Sequence, residues 1–248
     1  MRKHIKLIVF CISLFIVFIT YMSFANQNRK KNYIALGDSV AAGRNPYGVE
    51  EYGYTDYIKD YLEQNELLAF YTKEFAHSGF TTDDVIDEIE DNDTIEVDSR
   101  TIYLKEALRE SDLVTISIGA NNFLHTVSLD NLEEKLKDMV GTKKQADSII
   151  GDIKVLLELV KKYAKEQIIV VGYYNPLPRF TSHKAEIDEL VKYFDYKLQL
   201  LCEDLDIDYV DIFNIFDGEK DLIPNPFDIH PSKKGYQLIA EKIIKIIE

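Results

Sequence analysis

Short runs rich in Ile, Val and aromatics alternate with longer stretches in which apolar residues return every three or four positions. The runs at Tyr33–Leu36, Phe70–Phe75, Leu113–Ile118, Gln167–Gly172 and Asp208–Ile212 predict five strands. Three of them are dense enough in Ile and Val to be buried on both faces of a parallel sheet. Between them, Tyr54–Gln64 and Asp83–Glu90 predict helices, the second capped by Thr82 and opened by an acidic turn that suits the helix dipole. Ile187, Leu190, Val191, Phe194, Leu198, Leu201 and Leu205 form one helical stripe, with Cys202 on the same buried side. Ser232–Ile247 is a further helix with Ile239, Ile243, Ile246 and Ile247 turned inward. This alternation predicts an α/β domain with a doubly wound, mostly parallel sheet of about five strands. Residues 124–165 are long for one connection and are expected to hold extra helices over one sheet edge, a candidate lid.

The first 25 residues break the pattern. Arg2, Lys3 and Lys6 precede an uncharged apolar run from Leu7 to Ala25 that ends in Ser23-Phe24-Ala25. Such a segment is either a cleaved export signal or an uncleaved membrane anchor. Both place the rest of the chain outside the cytoplasm, secreted or tethered. Residues 26–32 then form a polar linker and 33–248 one domain. Removing residues 1–25 takes away three basic residues and no acid, which deepens the net charge from −14 to about −17. An acidic surface argues against nucleic-acid binding. Cys202 is the sole cysteine left, so no intramolecular disulfide is expected, and no His/Cys spacing predicts a metal site. No cofactor is expected.

In an open parallel sheet, ligands gather beyond the carboxyl ends of the strands. There the sequence places Gly37-Asp38-Ser39, His77-Ser78-Gly79, Gly119-Ala120-Asn121-Asn122 and Tyr173-Tyr174-Asn175-Pro176, with Asp228-Ile229-His230-Pro231 ahead of the last helix. These supply what acyl transfer needs. A serine hydroxyl becomes a nucleophile when a base takes its proton, and His230 is the candidate base for Ser39. A tetrahedral oxyanion needs donors, and the Gly79 N–H, the Asn121 amide and the N–H of Ser39 at a helix start can provide them.

The blocks GDS, SG, GANN and HP, in this order and across nearly the whole exported chain, resemble the SGNH hydrolases, also called GDSL esterases and lipases. The resemblance implies a flavodoxin-like three-layer sandwich and cofactor-free ester hydrolysis. It makes Ser39 the nucleophile, Gly79 and Asn121 oxyanion donors and His230 the base. Val40 stands where the family name has leucine, and Asn122 where aspartate is frequent. The family's usual aspartate three residues before the histidine is Phe227 here, and the nearest carboxylate is Asp228. In extended chain, a shift of one residue turns a side chain to the opposite face. Asp228 therefore orients His230 only if the loop bends; otherwise a backbone carbonyl does so, or Asp228 caps the last helix. Ser39 as a simple helix cap is the competing reading of the first block. The loop from Asn45 to Tyr54 and the pair Tyr173-Tyr174 are expected to line an acyl or sugar pocket, or to pack. Three functions follow: a general ester hydrolase, an O-acetyl deacetylase of cell-wall or surface polysaccharide, and a non-catalytic binding module on the same scaffold.

Overall fold

The computed structural model describes residues 12–13, 15–16, 29–97, 99–126, 131–177 and 181–248. The segment expected at 1–25 lies outside this range except for four residues, all helical. Five strands, β1 (Lys31–Gly37), β2 (Leu68–Ala76), β5 (Leu113–Ser117), β6 (Gln167–Val171) and β7 (Asp208–Val210), build one parallel sheet in the order β2-β1-β5-β6-β7. Every strand predicted from the sequence is present. The chain also forms an antiparallel hairpin, β3 (Thr94–Val97) with β4 (Arg100–Tyr103), that the apolar pattern did not predict. Its short strands are half exposed, so burial leaves little signature in their sequence.

Alternation along the strands splits the core into two halves, because successive side chains point to opposite faces. Ile34 and Leu36 of β1, Val114 and Ile116 of β5, and Ile168 and Val170 of β6 face one half. Helices α3 (Thr82–Asp91), α4 (Leu104–Glu110), α7 (Met139–Tyr163) and α8 (Lys184–Leu205) cover it. Tyr33, Ala35, Leu113, Ile169 and Val171 face the other half, under α2 (Tyr54–Gln64) and α10 (Lys233–Ile247). The result is a three-layer α/β sandwich. Thr115 is a polar residue in the middle of β5, and Tyr33 Oη meets its hydroxyl at 2.8 Å. Within the stretch expected to hold extra helices, α6 (Leu132–Lys137) is short, while α7 is a layer helix that buries Ile149, Ile153, Leu156, Leu157 and Val160.

Two details of the helices differ from expectation. Thr81, not Thr82, caps α3: its Oγ1 accepts the Asp84 N–H while Asp84 accepts the Thr81 N–H, a reciprocal capping box. Thr82 is buried and bonded elsewhere. Ile246 on α10 is exposed, because the buried stripe there runs through Tyr236, Ile239, Ala240 and Ile243.

One polar residue, Asp195, lies in the buried stripe of α8. Its Oδ1 accepts the Tyr209 hydroxyl at 2.7 Å and the Tyr173 N–H at 2.8 Å, while Oδ2 has no hydrogen-bond partner among the described residues. Burial outweighs both bonds and lifts the carboxyl to about 7. A carboxyl raised in the folded state binds more protons there than in the unfolded chain. Its charge therefore costs stability progressively as pH climbs from about 4 toward 7. Asp195→Asn keeps an oxygen for both donors and removes the charge. It is expected to melt higher than the parent at pH 8, with the gain vanishing near pH 4; a gain equal at both pH values would show that charge burial is not the cause.

Candidate active site

Strand order reverses direction between β1 and β5, and the carboxyl ends of these two strands frame the site. The backbone at Gly37 has φ +123°, and a Cβ there would sit 1.9 Å from the Ser117 carbonyl oxygen. Only glycine lets β1 turn so closely over β5. Asp38 follows, 1% exposed. Its N–H donates to the Ser117 carbonyl at 2.8 Å, and its Oδ1 accepts the Val40 N–H at 3.0 Å and the Ser117 hydroxyl at 3.2 Å. Burial raises the Asp38 carboxyl to about 7. Asp38 is thus the cap of the short helix α1 (Ser39–Ala42). Because the neighbour does the capping, the Ser39 hydroxyl is not occupied as a helix cap.

Instead Ser39 Oγ lies 2.7 Å from Nε2 of His230, 191 positions away in the chain. His230 Nδ1 lies 2.6 Å from Asp228 Oδ1. The same Oδ1 accepts the backbone N–H of His230 at 2.8 Å. That Asx turn is the bend that brings a carboxylate two residues upstream onto the imidazole. It also frees Asp228 from the last helix, which Ser232 caps through the Gly235 N–H at 3.3 Å. Phe227, at the position where the family carries aspartate, is 95% exposed. Burial lowers the His230 pKa below the usual histidine value; Asp228 opposes this and Arg44 adds to it. The loop is moored from three sides. Tyr174 donates to the Ile229 carbonyl at 2.8 Å, Asn225 to the Pro46 carbonyl at 2.6 Å, and Tyr236 to the Arg44 carbonyl at 2.6 Å.

Asn121 opens α5 (Ala120–Leu124) beyond β5 and shares a cavity with Ser39. Its Nδ2 donates to the Phe80 carbonyl at 2.8 Å, which fixes the amide and leaves its second hydrogen for a ligand. Asn122 ties the same helix to α3, accepting the Thr82 N–H at 3.1 Å and donating to the Thr82 hydroxyl at 2.8 Å. Between these anchors the exposed Gly79 holds φ +93°, a conformation other residues rarely adopt. His77, at the start of the loop, pairs with the buried carboxyl of Glu88 at 2.9 Å, and its ring packs against Phe80 at 4.5 Å. The carboxylate raises the His77 pKa. The bonds of Asn122 and the moorings by Tyr174, Asn225 and Tyr236 were not visible in the sequence, since backbone carbonyls carry most of them.

A buried serine and imidazole and a half-buried carboxylate in one hydrogen-bonded chain, at the switch point of a 2-1-3-4-5 parallel sheet, define a serine ester hydrolase of the SGNH type. The model of the GDSL-like Lipase/Acylhydrolase family matches residues 35–238, and the chain belongs to that family. Its relatives include the spore germination lipase LipC of Bacillus licheniformis, 23% identical over 85% of this chain and 93% of LipC. YpmR of Bacillus subtilis is 23% identical over 90% of this chain and 85% of its own. Among solved structures, the lipase Lip_vut3 from a goat rumen metagenome superposes with a TM-score of 0.64 at 21% identity, over 86% of this chain and 95% of that one. The acetylxylan esterase Axe2 of Geobacillus stearothermophilus gives 0.63 at 19%, over 88% and 94%.

Proposed function

We propose that the chain hydrolyses carboxylic esters through an acyl-enzyme on Ser39. His230 Nε2 takes the hydroxyl proton as Ser39 Oγ bonds to the ester carbonyl carbon. The Ser39 and Gly79 N–H groups and the Asn121 amide receive the oxyanion. Collapse of the tetrahedral intermediate breaks the ester C–O bond, and the leaving alkoxide takes the proton from His230. Water repeats the sequence: His230 takes its proton as the water oxygen bonds to the acyl carbon, and Ser39 Oγ leaves with that proton as the acid is released. Asp228 holds the Nδ1–H and stabilises the imidazolium. The observation that carries this reading is the continuous chain from Oγ to Nε2 and from Nδ1 to Oδ1, at 2.7 and 2.6 Å.

The test is labelling with a fluorophosphonate, which reacts with an activated serine. One adduct per chain, on Ser39, is expected. Its rate should fall with acid as His230 becomes protonated, with a midpoint below 6.5 because burial depresses that pKa. No adduct, or an adduct on another residue, would overturn the assignment.

Removal of acetyl groups from a polysaccharide is the alternative. Axe2 carries that activity in its own name, but 19% identity speaks for fold alone. The non-catalytic reading rested on the displaced aspartate, and the bend at Asp228 removes that support.

The domain acts outside the cytoplasm in this proposal, on the strength of the basic start and the apolar run to Ala25. The amino terminus of the protein recovered from cells distinguishes cleavage, which leaves a start near Asn26, from anchoring, which leaves Met1. Recovery of all the protein in the cytosol would refute export.

A further inference from the structure

Ser39 and Asn121 open onto a cavity of about 130 Å³ that runs from the carboxyl ends of β5 and β6 toward α8. We propose that this cavity takes the acyl chain, and that the substrates are esters of unbranched fatty acids of about four to eight carbons, with α8 setting the limit. This rests on Ser39 being the nucleophile.

The lining decides the chemistry. Besides the two tyrosines, its polar side chains are Asp38, Ser39, Ser117 and Asn121, and Asp38 and Ser117 already bond each other. The rest of the lining is apolar or aromatic, with Phe123, Tyr173, Tyr174, Leu190, Val191 and Phe194 as its large members. Both tyrosines spend their hydroxyls on backbone: Tyr173 donates to the Ile118 carbonyl at 2.5 Å and Tyr174 to the Ile229 carbonyl at 2.8 Å. They present rings, not donors, to whatever enters. A sugar ring would leave its hydroxyls unpaired here, whereas an alkyl chain loses nothing.

The volume decides the length. It is a little under the ~150 Å³ of an apolar cavity that accommodates a benzene-sized guest. An acetyl group leaves most of this space empty, and a chain much beyond eight carbons runs past it and gains nothing from the added carbons. The α8 wall does not yield easily. Phe194 and Leu190 are buried, and Phe194 meets Tyr173 edge to face with centroids 4.8 Å apart. Tyr173 is itself held at its hydroxyl and at its N–H, the latter by Asp195 at 2.8 Å. Interiors packed this way resist expansion.

Each methylene enclosed is worth up to about fourfold in kcat/KM. On the full chain, p-nitrophenyl hexanoate is therefore expected to exceed acetate by at least about tenfold, with no further gain at dodecanoate. Val191 is only half buried, so Val191→Phe fills the cavity without entering the core. It is expected to lower the hexanoate-to-acetate ratio at least tenfold. Phe194→Leu, a smaller change in a packed position, should move the optimum to longer chains, and serves if the first variant does not fold. A wild-type profile that is flat or highest at acetate, or an unchanged ratio in a folded Val191→Phe, would overturn the proposal. Ser39→Ala separates the two claims. A rate collapse of ten-thousandfold or more in Ser39→Ala together with an acetate-peaked wild type sinks the chain-length claim alone. A loss of less than tenfold in a folded Ser39→Ala sinks the nucleophile.

Discussion

Ser39→Ala is expected to lower kcat/KM for p-nitrophenyl butyrate by ten-thousandfold to about a millionfold, the range seen when the nucleophile of a serine hydrolase is removed. The size follows from the proposed mechanism, in which no acyl-enzyme forms without the hydroxyl and His230 activates only water. The oxyanion donors remain, so a residual rate above the buffer reaction is expected. The fold should hardly notice. Alanine suits the first turn of α1, and Asp38 keeps the cap through the Val40 N–H. The loss of one hydrogen bond to His230 is worth about 1 kcal/mol. A melting temperature within a few degrees of the parent, together with the rate collapse, is the diagnostic pair. A loss of less than tenfold in a folded variant would exclude Ser39 from the chemistry.

The second large effect separates charge from geometry at Asp228. One oxygen, Oδ1, serves both the His230 N–H at 2.8 Å and Nδ1 at 2.6 Å. In Asp228→Asn the amide oxygen must stay in that position, because the backbone N–H demands an acceptor there. Nδ1–H then still finds an oxygen, and the catalytic tautomer survives. What disappears is the negative charge opposite the developing imidazolium. A loss of about ten- to a hundredfold in kcat is expected, smaller than the ~10⁴ that accompanies a wrong tautomer. Asp228→Ala removes the turn as well as the charge and should lose about a thousandfold or more. Both variants should shift the acidic limb of the pH profile downward, since Asp228 raises the His230 pKa against burial. Stopped-time assays across pH 4 to 9 test the ranking. An asparagine variant as poor as the alanine variant would show that the amide flips and the turn does not govern it.

The layers of the fold were legible because their signals are strong and local. Ile34 and Leu36, or Ile168 and Val170, sit in runs apolar enough to require burial on both faces, and the alternating elements left one architecture. The order of the four blocks pointed to Ser39, Gly79, Asn121 and His230; the structure sets Ser39 2.7 Å from His230 and puts Asn121 on the cavity that Ser39 lines. The orientation of His230 was not legible. It depends on whether a two-residue loop bends, which is settled by the hydrogen bond from His230 N–H to Asp228 and by moorings from Tyr174, Asn225 and Tyr236. Those partners lie far along the chain and act on carbonyl groups that every residue possesses. The cap of α3 was misplaced by one residue for a different reason. Thr81 and Thr82 are both competent, and only the reciprocal bond to Asp84 distinguishes them. Tyr173 and Tyr174 were ambiguous because a tyrosine offers both a ring and a hydroxyl. Knowing where the hydroxyls are spent shows which part is left to face a ligand.

The separation of 191 positions between the hydroxyl and the imidazole has a consequence for biosynthesis. A ribosome releases Ser39 early, and the partner that activates it in the proposed mechanism is translated only after all five sheet-forming strands, four of which follow Ser39 in the chain. Until the segment from Asn225 to Tyr236 docks onto the loop at Arg44 and Pro46, the nascent chain carries an inert alcohol. On that mechanism, hydrolytic power is withheld from the emerging polypeptide and granted at one late docking event.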